Sequence, residues 1–271
     1  MTHILAFANQ KGGVGKTTSC VNVAAVLAAK PFRVLVIDLD PQGNATMGSG
    51  VHKLKLEYSM NEFLQGQADF KQSCFMQTPA GYDLLPANRD LTAAEIALLK
   101  KPNHHFCLRD LLAPVRDNYD FILIDCPPSL NVLTLNAFCV ATHLLITMQC
   151  EYYALEGLSD LMNTFTQIKE NLNPNFKLLG ILRTMFDTRS RLCLEVSEQL
   201  ADHFGNTLFQ TTIPRNVRLA EAPSHGLPAM LYDRTCRGAT AYVVFTHELL
   251  KRLQKVTPKA TPTEIVEETV A

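Results

Sequence analysis

The chain has 271 residues, of which 47% are hydrophobic and 19% charged, and its formal net charge is -1. This length and apolar content predict one large α/β domain with a substantial buried core. A net charge near zero excludes a polycation that coats nucleic acid over its whole surface, so DNA binding would need a local patch. The sequence contains no run of about 18 uninterrupted apolar residues, which argues against a transmembrane helix.

Short apolar runs alternate with longer segments of helical period, and this alternation predicts a doubly wound, mostly parallel sheet with helices on both faces. The predicted strands are residues 4–8, 33–38, 82–86, 121–125, 143–148 and 178–184. The predicted helices are residues 17–29, 91–99, 108–115, 131–139, 154–172, 191–204 and 238–256. Residues 48–77 show no clear period and are expected to form a loop-rich excursion with one short helix at 60–64.

The first predicted strand continues into a glycine-rich segment at residues 9–18, Asn-Gln-Lys-Gly-Gly-Val-Gly-Lys-Thr-Thr, and a predicted helix follows. This order predicts a phosphate-binding loop, because glycines let the backbone wrap around phosphate oxygens and a helix N-terminus attracts negative charge. Lys16 would supply positive charge to the outer phosphates, and Thr17 a hydroxyl for Mg²⁺. Gln10 replaces the usual first glycine, and a second lysine, Lys11, opens the loop. Lys11 is either a functional lysine or an ordinary solvated one.

Two carboxylates, Asp38 and Asp40, lie at the end of the second predicted strand. Strand alternation would send both to the same side, at the carboxyl edge of the sheet where α/β proteins bind ligands. A cation on phosphates needs oxygen ligands, and a hydrolytic water needs an acceptor that orients it. We interpret the pair as functional; the alternative is a turn in which Asp-Pro and Gln-Gly only set the backbone geometry.

The strand predicted at 121–125 has four apolar residues followed by Asp125, and Cys-Pro-Pro-Ser comes next. This pattern indicates a Walker B strand with Asp125 in the Mg²⁺ shell. The eight cysteines of the chain have no Cys-x-x-Cys spacing and lie mostly in apolar runs, which is typical of buried thiols in a reducing compartment. Cys126 is therefore interpreted as structural, the alternative being a ligand of a metal cluster shared by two subunits.

Three segments together resemble those of the ParA/Soj partition ATPases, which are deviant Walker A members of the MinD/ParA superfamily. They are Lys-Gly-Gly-Val-Gly-Lys-Thr-Thr, Asp-Leu-Asp-Pro-Gln-Gly-Asn and Ile-Asp-Cys-Pro-Pro-Ser. Residues 149–157 and 213–224 also resemble the chromosomal branch, so the similarity extends from about residue 2 to residue 253. The resemblance implies a SIMIBI-like P-loop NTPase domain over residues 1–256, with ATP or ADP and Mg²⁺ as cofactors.

The resemblance also implies an ATPase that forms a homodimer when ATP is bound. Lys11 would contact the partner's phosphates, Gly12 would lie against the other subunit, and Asp40 would orient the attacking water, so that Lys11, Lys16 and Asp40 are the catalytic residues. The implied nucleotide-binding residues are Lys11, Gly12, Gly13, Val14, Gly15, Lys16, Thr17, Thr18, Pro214 and Asn216, the last two lining the adenine pocket. The implied Mg²⁺ ligands are Thr17, Asp40 and Asp125.

Residues 207–256 contain seven Lys or Arg and three acidic residues, a local excess of four positive charges. Mobile cations contact DNA phosphates without sequence preference and with strong salt dependence. We interpret this segment as a surface for nonspecific double-stranded DNA, the alternative being solvated faces of ordinary helices. The resemblance implies Arg218 and Arg215 as DNA contacts, a nucleoid-associated protein and a ParB-type centromere-binding partner.

The two ends of the chain bear on its location. Met1-Thr2-His3 leads into the first strand without the basic leader and apolar segment of a signal peptide, so we expect a soluble, cytoplasmic protein. Residues 257–271 are polar and punctuated by proline, and are expected to form a flexible tail. They carry one lysine and three glutamates, unlike the basic amphipathic helix that attaches MinD-like proteins to membranes, so no membrane partner is expected.

Other functions stay open beside chromosome or plasmid segregation. A MinD-like or other positioning ATPase could act on the division site or on a protein cluster. An ATP-dependent ligase or a nitrogenase-reductase-like electron carrier could use the same loop, although such ligases generally lack a lysine like Lys11. A nonenzymatic DNA-binding module is disfavoured, since no helix-turn-helix segment precedes the first strand.

Overall fold

A computed structural model describes residues 2–256, and the surroundings of side chains 2–254. Its seven strands are β1 (His3–Ala8), β2 (Val34–Asp38), β3 (Asp83–Leu85), β4 (Phe121–Asp125), β5 (His143–Gln149), β6 (Lys177–Phe186) and β7 (Leu208–Pro214). They form one sheet in the order β3-β2-β4-β1-β5-β6-β7, and all neighbouring strands are parallel. The predicted doubly wound sheet is confirmed, and the C-terminal tail predicted at 257–271 lies outside the described residues.

Twelve α-helices are described in residues 2–256, and every predicted helix has a counterpart within a few residues. They are α1 (Lys16–Ala28), α2 (Asn44–Gly48), α3 (Met60–Gln65), α4 (Phe70–Ser73), α5 (Leu91–Leu98), α6 (Cys107–Leu112), α7 (Val132–Val140), α8 (Ala154–Asn171), α9 (Arg191–Phe204), α10 (Val217–Glu221), α11 (Ala229–Tyr232) and α12 (Arg237–Val256). Within this described part, none of the helices has both the length and the apolarity that crossing a membrane requires.

Helices cover both faces of the sheet, and the strands alternate between two cores. In β1, Ile4 and Ala6 pack into a core with residues of α3 and α5 to α9, whereas Leu5 and Phe7 pack into a second core with α1 and α12. Successive strand residues point to opposite faces, so a strand buried on both faces must be apolar throughout. This is why the strands are visible in the sequence as short apolar runs.

The sheet has one strand more than the sequence predicted. This additional strand, β7, lies at the edge of the sheet and pairs irregularly with β6, with two register shifts. Side chains satisfy the backbone there: Glu248 accepts from the N–H groups of Gln210 and Thr211 at 2.8 and 2.9 Å. Arg183 donates to the carbonyl of Phe209 at 2.8 Å. These partners are distant in sequence, so no local period marks the strand.

Arg252, which the sequence analysis counted in the DNA surface, instead joins α12 to the end of the sheet. Its guanidinium lies 3.8 Å from the ring centre of Phe209 and donates to the carbonyls of Thr207 and Leu179 at 2.9 and 3.1 Å. Its side chain is only 19% exposed. The charge count over residues 207–256 therefore overstates the cations available to DNA, because the guanidinium of Arg252 is already bound within the fold.

We expect Gly180→Ala to lower the free energy of unfolding by about 1–3 kcal/mol, as overpacking does in well-packed cores. An added Cβ would lie 2.4 Å from Nη1 of Arg252 and 2.6 Å from the carbonyl oxygen of Thr207, so both must shift. Urea denaturation measures the change. Gly157→Ala is the control, since its Cβ meets no atom within 4 Å and alanine favours a helix by roughly 0.5–1 kcal/mol over glycine. Equal stability of the two variants would contradict the packing argument.

Candidate functional site

The predicted site residues meet at the carboxyl edge of the sheet, where β1, β2 and β4 end side by side. Phe7 in β1 and Asp38 in β2 are both register partners of Asp125 in β4. The glycine-rich loop after β1 and the segment after β2 therefore lie next to Asp125, as the topology of open α/β sheets requires. They enclose a cavity of about 630 Å³ whose lining includes Gly12, Gly13, Gly15, Lys16, Thr17, Thr18, Asp40, Asn44 and Pro128.

The loop is shaped to receive an anion. Gly13 and Gly15 have φ of +76° and +82°, a left-handed conformation that favours glycine, and Gly15 is the N-cap of α1. In the part of the chain that the structure describes, the N–H groups of residues 13–17 find no acceptor. The hydroxyl of Thr184 in β6 pins the loop by donating to the carbonyl of Val14 at 2.8 Å. Backbone donors left open at a helix N-terminus are typical of phosphate sites.

Lys16 lies inside this loop and is 7% exposed. Its Nζ donates to the carbonyl of Lys11 at 3.1 Å, so the amine is held by the loop itself. Burial lowers the pKa of Lys16, and the negative charges of Asp125 and Asp40 oppose that shift. The side chain can therefore offer positive charge to an anion in the loop without leaving its place.

Asp125 is poised for a cation. Its Oδ2 accepts from the hydroxyl of Thr17 at 2.6 Å, while Oδ1 is buried and has no partner among the described residues. Burial raises the pKa of Asp125 well above its usual range, and the neighbouring Asp38 adds to the effect. An ionised carboxylate in such a place is stabilised by a cation. The unpaired oxygen and the hydroxyl thus fit Mg²⁺.

The site does not contain a complete set of metal ligands of its own. Across residues 2–254, no three His, Cys, Asp or Glu side chains converge in a way that could hold a metal ion. Mg²⁺ in phosphate sites usually has one or two carboxylate ligands, with waters and phosphate oxygens completing the octahedron. The residues present therefore suit an ion that arrives with a phosphate ligand.

The two carboxylates after β2 have different places. Asp38 is fully buried, and its Oδ2 accepts from the N–H and the hydroxyl of Thr46 at 2.8 and 2.7 Å. Burial raises the pKa of Asp38 to about 6. Asp40 lines the cavity, and its Oδ1 accepts from the N–H of Gln42 at 2.9 Å. Asp38 lies beside Asp125 in the register of the sheet, but of the two carboxylates only Asp40 is among the described residues that line the cavity. Because β2 ends at Asp38, strand alternation does not determine where Asp40 points.

Lys11 lies at the exposed mouth of the loop. Its ammonium group forms an ion pair with the carboxylate of Glu151, in the turn between β5 and α8. Its N–H donates to Oδ1 of Asn9 at 2.9 Å, and Nδ2 of Asn9 donates to the carbonyl of Thr147 at 2.7 Å. The sequence analysis missed Asn9 and Glu151 as neighbours of Lys11, since no local pattern shows that the first and fifth strands are adjacent.

A smaller cavity of about 190 Å³ contains Pro214 and Asn216, the two residues that the resemblance assigned to adenine. Its lining also includes Gly15, Thr18 and Met185, which border the larger cavity as well, so the two form one trough. Met185 has φ of +48°, a conformation rarely adopted by side-chain-bearing residues and often found at functional sites. Met185 gave no signal in the sequence.

A third cavity, of about 710 Å³, lies at the ends of β6 and β7 and is lined by Arg189, Arg215 and Arg237. Arg189 is paired with Asp187 through two bonds of 3.0 and 2.9 Å. Arg215 and Arg237 have no ion pair among the described residues. The sequence analysis did not include Arg189 in the positively charged segment, because it counted charge only from residue 207 onward.

Arg218, the other predicted DNA contact, has its charge partly compensated. Its guanidinium is 2.8 Å from a carboxylate oxygen of Glu221 and 3.4 Å from one of Asp233. Its side chain is nevertheless 51% exposed. The structure thus leaves Arg215 with the less compensated charge of the two predicted contacts.

Cys126 is 1% exposed and lies beside Asp125 within the core. A cluster ligand shared between two subunits needs a thiol at the surface. Burial also raises the pKa of the Cys126 thiol, which disfavours the thiolate that a cluster requires. The interpretation of Cys126 as a structural thiol is the one that its surroundings favour.

Comparison with known proteins identifies the family that the chain is similar to. A protein-family profile described as "AAA domain" matches residues 2–178. The sporulation initiation inhibitor protein Soj of Bacillus subtilis is 45% identical, covering 92% of this chain and 98% of that protein. The chromosome partitioning protein ParA of Myxococcus xanthus is 44% identical, covering 94% of this chain and 90% of that protein.

A solved structure gives the same fold. Cobyrinic acid a,c-diamide synthase from Mycobacterium smegmatis, with a bound ATP analogue and magnesium, superimposes with a TM-score of 0.83. It is 35% identical and covers 95% of this chain and 98% of its own. The match of fold, loop and curated relatives over most of the length leads to one conclusion: the chain belongs to the ParA/Soj family of chromosome-partitioning ATPases, within the P-loop superfamily.

Proposed function

We propose that this protein is an ATP-driven switch that dimerises on ATP, binds DNA nonspecifically in that state, and releases it after hydrolysis of ATP to ADP and phosphate. Its proposed role is chromosome or plasmid segregation together with a ParB-type centromere-binding partner, in association with the nucleoid. The observation that carries the proposal is the presence of two lysines in one phosphate loop, Lys16 buried within it and Lys11 exposed at its mouth.

The trough formed by the two adjoining cavities suits ATP. The N–H groups of residues 13–17 and the amine of Lys16 would bind the phosphates, with Gly12 and Thr18 beside them. The base would lie against Pro214 and Asn216. Oδ1 of Asn216 already caps α10 by accepting from the N–H of Arg218 at 3.0 Å, which leaves its NH₂ group for a base acceptor.

Thr17, Asp125 and Asp40 would hold Mg²⁺, which when bound neutralises charge on the phosphate oxygens. Phosphoryl transfer to water depends mainly on position and electrostatics. Asp40 lines the cavity with a carboxylate that its bond from Gln42 holds in place, so it can accept a hydrogen bond from a water and orient it. The buried Lys16 would stabilise the negative charge on the phosphate oxygens during the transfer.

Dimerisation is supported by what surrounds Gly12. It is exposed, has no left-handed φ, and a Cβ added to it would meet no atom within 4 Å. Nothing in the subunit itself therefore requires glycine at this position. A second copy approaching closely over the loop would require it, and would bring its Lys11 to the phosphates.

DNA binding is supported by the arginines at the ends of β6 and β7. Arg189, Arg215 and Arg237 border one open cavity on the same edge of the sheet as the phosphate loop. Such cations bind phosphates of any sequence and release counterions, so affinity falls with salt. A dimer doubles the number of contacts, which would make DNA binding depend on ATP. Arg218 would contribute after loosening its own ion pairs.

We expect DNA to retain the protein with ATP, and not with ADP or without nucleotide. Arg215→Glu should weaken ATP-dependent retention by about tenfold, because each dimer loses two phosphate contacts, while light scattering still detects the dimer. Arg116→Glu, which precedes β4 at the opposite edge of the sheet, is the control and should retain normal affinity. Retention that is equal with and without ATP would contradict the switch. Joint loss of dimer and DNA binding would instead assign Arg215 to the dimer interface or to the nucleotide cavity, whose lining includes it.

An alternative function is amide synthesis, the activity named for the solved structure described above, which is 35% identical. The partition proteins cited above are more similar, at 44% and 45%. ATP consumption that depends on added cobyrinic acid, and not on DNA and a ParB-type partner, would favour the synthase. A MinD-like or cluster-positioning ATPase would use the same ATP-dependent switch and differ in the cargo that it positions. Binding to lipid vesicles in place of retention on DNA would identify a MinD-like, membrane-bound ATPase.

A further inference from the structure

We propose that Glu151 is a latch for Lys11: in the free subunit its carboxylate holds the ammonium group that the ATP-bound dimer needs. Closing the dimer would then require each Lys11 to exchange this carboxylate for phosphate oxygens of the partner's nucleotide. The inference rests on the proposed function and concerns the regulation of the same site. Its consequence is a threshold, since ATP must overcome two intact ion pairs before the dimer forms.

The backbone of Lys11 is fixed, so only its side chain is free to move. Its N–H donates to Oδ1 of Asn9 at 2.9 Å, and its carbonyl accepts from Nζ of Lys16 at 3.1 Å. Asn9 also donates from Nδ2 to the carbonyl of Thr147 in β5, at 2.7 Å. The start of the loop is thereby attached to the strand that leads into Glu151.

The backbone of Glu151 is held as well. Its N–H donates to the carbonyl of Gln149 at 2.9 Å, and its carbonyl accepts from the N–H of Ala154 at 3.0 Å. These bonds shape the turn between β5 and α8. The ammonium group and the carboxylate are thus placed opposite each other by two constrained segments, and the pairing does not depend on a chance meeting of two flexible loops.

The pair is accessible to a competitor. The side chains of Lys11 and Glu151 are 46% and 41% exposed, so a phosphate can reach the ammonium group from outside. Exposed pairs are weak, and breaking one lowers an association constant by about two- to fivefold. Because a dimer breaks two, the latch would weaken dimerisation by up to about 25-fold. A triphosphate carries more negative charge than one carboxylate and can displace it.

The same turn presents a surface that a second copy would cover. Tyr152 and Tyr153, which follow Glu151, are 75% and 71% exposed, and their rings contact each other at 5.1 Å in an edge-to-face arrangement. Large aromatic rings next to a phosphate loop are typical of an interaction surface. Release of the latch and burial of these rings would therefore take place on one face.

The test uses the full chain with the hydrolysis-blocking substitution Asp40→Ala, saturated with Mg-ATP. Glu151→Gln keeps the size of the side chain and removes its charge, and we expect it to tighten the dimer by about 4- to 25-fold in sedimentation velocity. Glu156→Gln is the matched control, because Glu156 is exposed on the first turn of α8 and has no ion pair among the described residues.

The difference between the two variants should shrink as salt rises, since exposed charges are screened. A purely structural role of Glu151 would not produce that dependence. Equal dimer affinity of both variants overturns the latch, as does a weaker dimer with Glu151→Gln, which would make the carboxylate a contact to the partner. Absence of any dimer in an Asp40→Ala parent that still binds Mg-ATP would refute the proposed function itself, and with it the latch.

Discussion

Lys16→Ala is expected to abolish nucleotide binding, with a loss of affinity of at least about a hundredfold. Lys16 is 7% exposed inside the loop that carries the open N–H groups of residues 13–17, and its amine bonds to the carbonyl of Lys11 in the same loop. Hydrogen bonds to charged groups contribute about 1.5–3 kcal/mol each, and the amine can bond to two phosphates at once. Isothermal titration with Mg-ATP measures the effect.

The fold should survive this substitution, because among the described residues Nζ of Lys16 bonds only to a carbonyl of its own loop. Urea denaturation checks that point. Lys169→Ala is the control for removing one positive charge: Lys169 is exposed in the last turn of α8, roughly 22 Å along the helix axis from Ala154. Tight ATP binding by Lys16→Ala would show that the phosphates bind elsewhere and would remove the basis of the assigned site.

Much of this site could be predicted because its parts are local in sequence. A strand, glycines that adopt positive φ, a lysine and a helix start follow one another at residues 9–18, and each step has its own chemical signature. The carboxyl ends of parallel strands share one edge, and this rule alone predicts that Asp40 and Asp125 lie beside the loop. The same reasoning located the buried strands, which are apolar throughout.

What could not be predicted depends on contacts between distant segments. Glu151 is 140 residues from Lys11, and Thr184 is 170 residues from Val14. Neither pair has a local pattern. The strand β7 was missed for the same reason, since Glu248 from α12 satisfies part of its backbone. Arg252 looked like a free surface cation, and only its packing on Phe209 shows that it binds the end of the sheet.

Asp40→Ala is expected to slow ATP hydrolysis by about 10²- to 10⁴-fold, the range in which a positioned acceptor acts, and to let an ATP-bound dimer accumulate. Asp40 borders the cavity beside Lys16 and Thr17, whereas Asp38 is committed to Thr46 and cannot replace it. Phosphate release measures turnover, and light scattering with Mg-ATP measures the dimer. Unchanged turnover would remove Asp40 from the catalytic role.

Asp40→Asn distinguishes the loss of the carboxylate charge from a change in the backbone turn that Asp40 supports. Oδ1 of Asp40 accepts from the N–H of Gln42 at 2.9 Å, and an asparagine oxygen can accept the same bond. The turn should therefore persist in this variant, while the negative charge that orients water is lost. We expect Asp40→Asn to hydrolyse ATP nearly as slowly as Asp40→Ala and to form the same dimer. Recovery of turnover in the asparagine variant would mean that Asp40 only shapes the turn, and that another group orients the water.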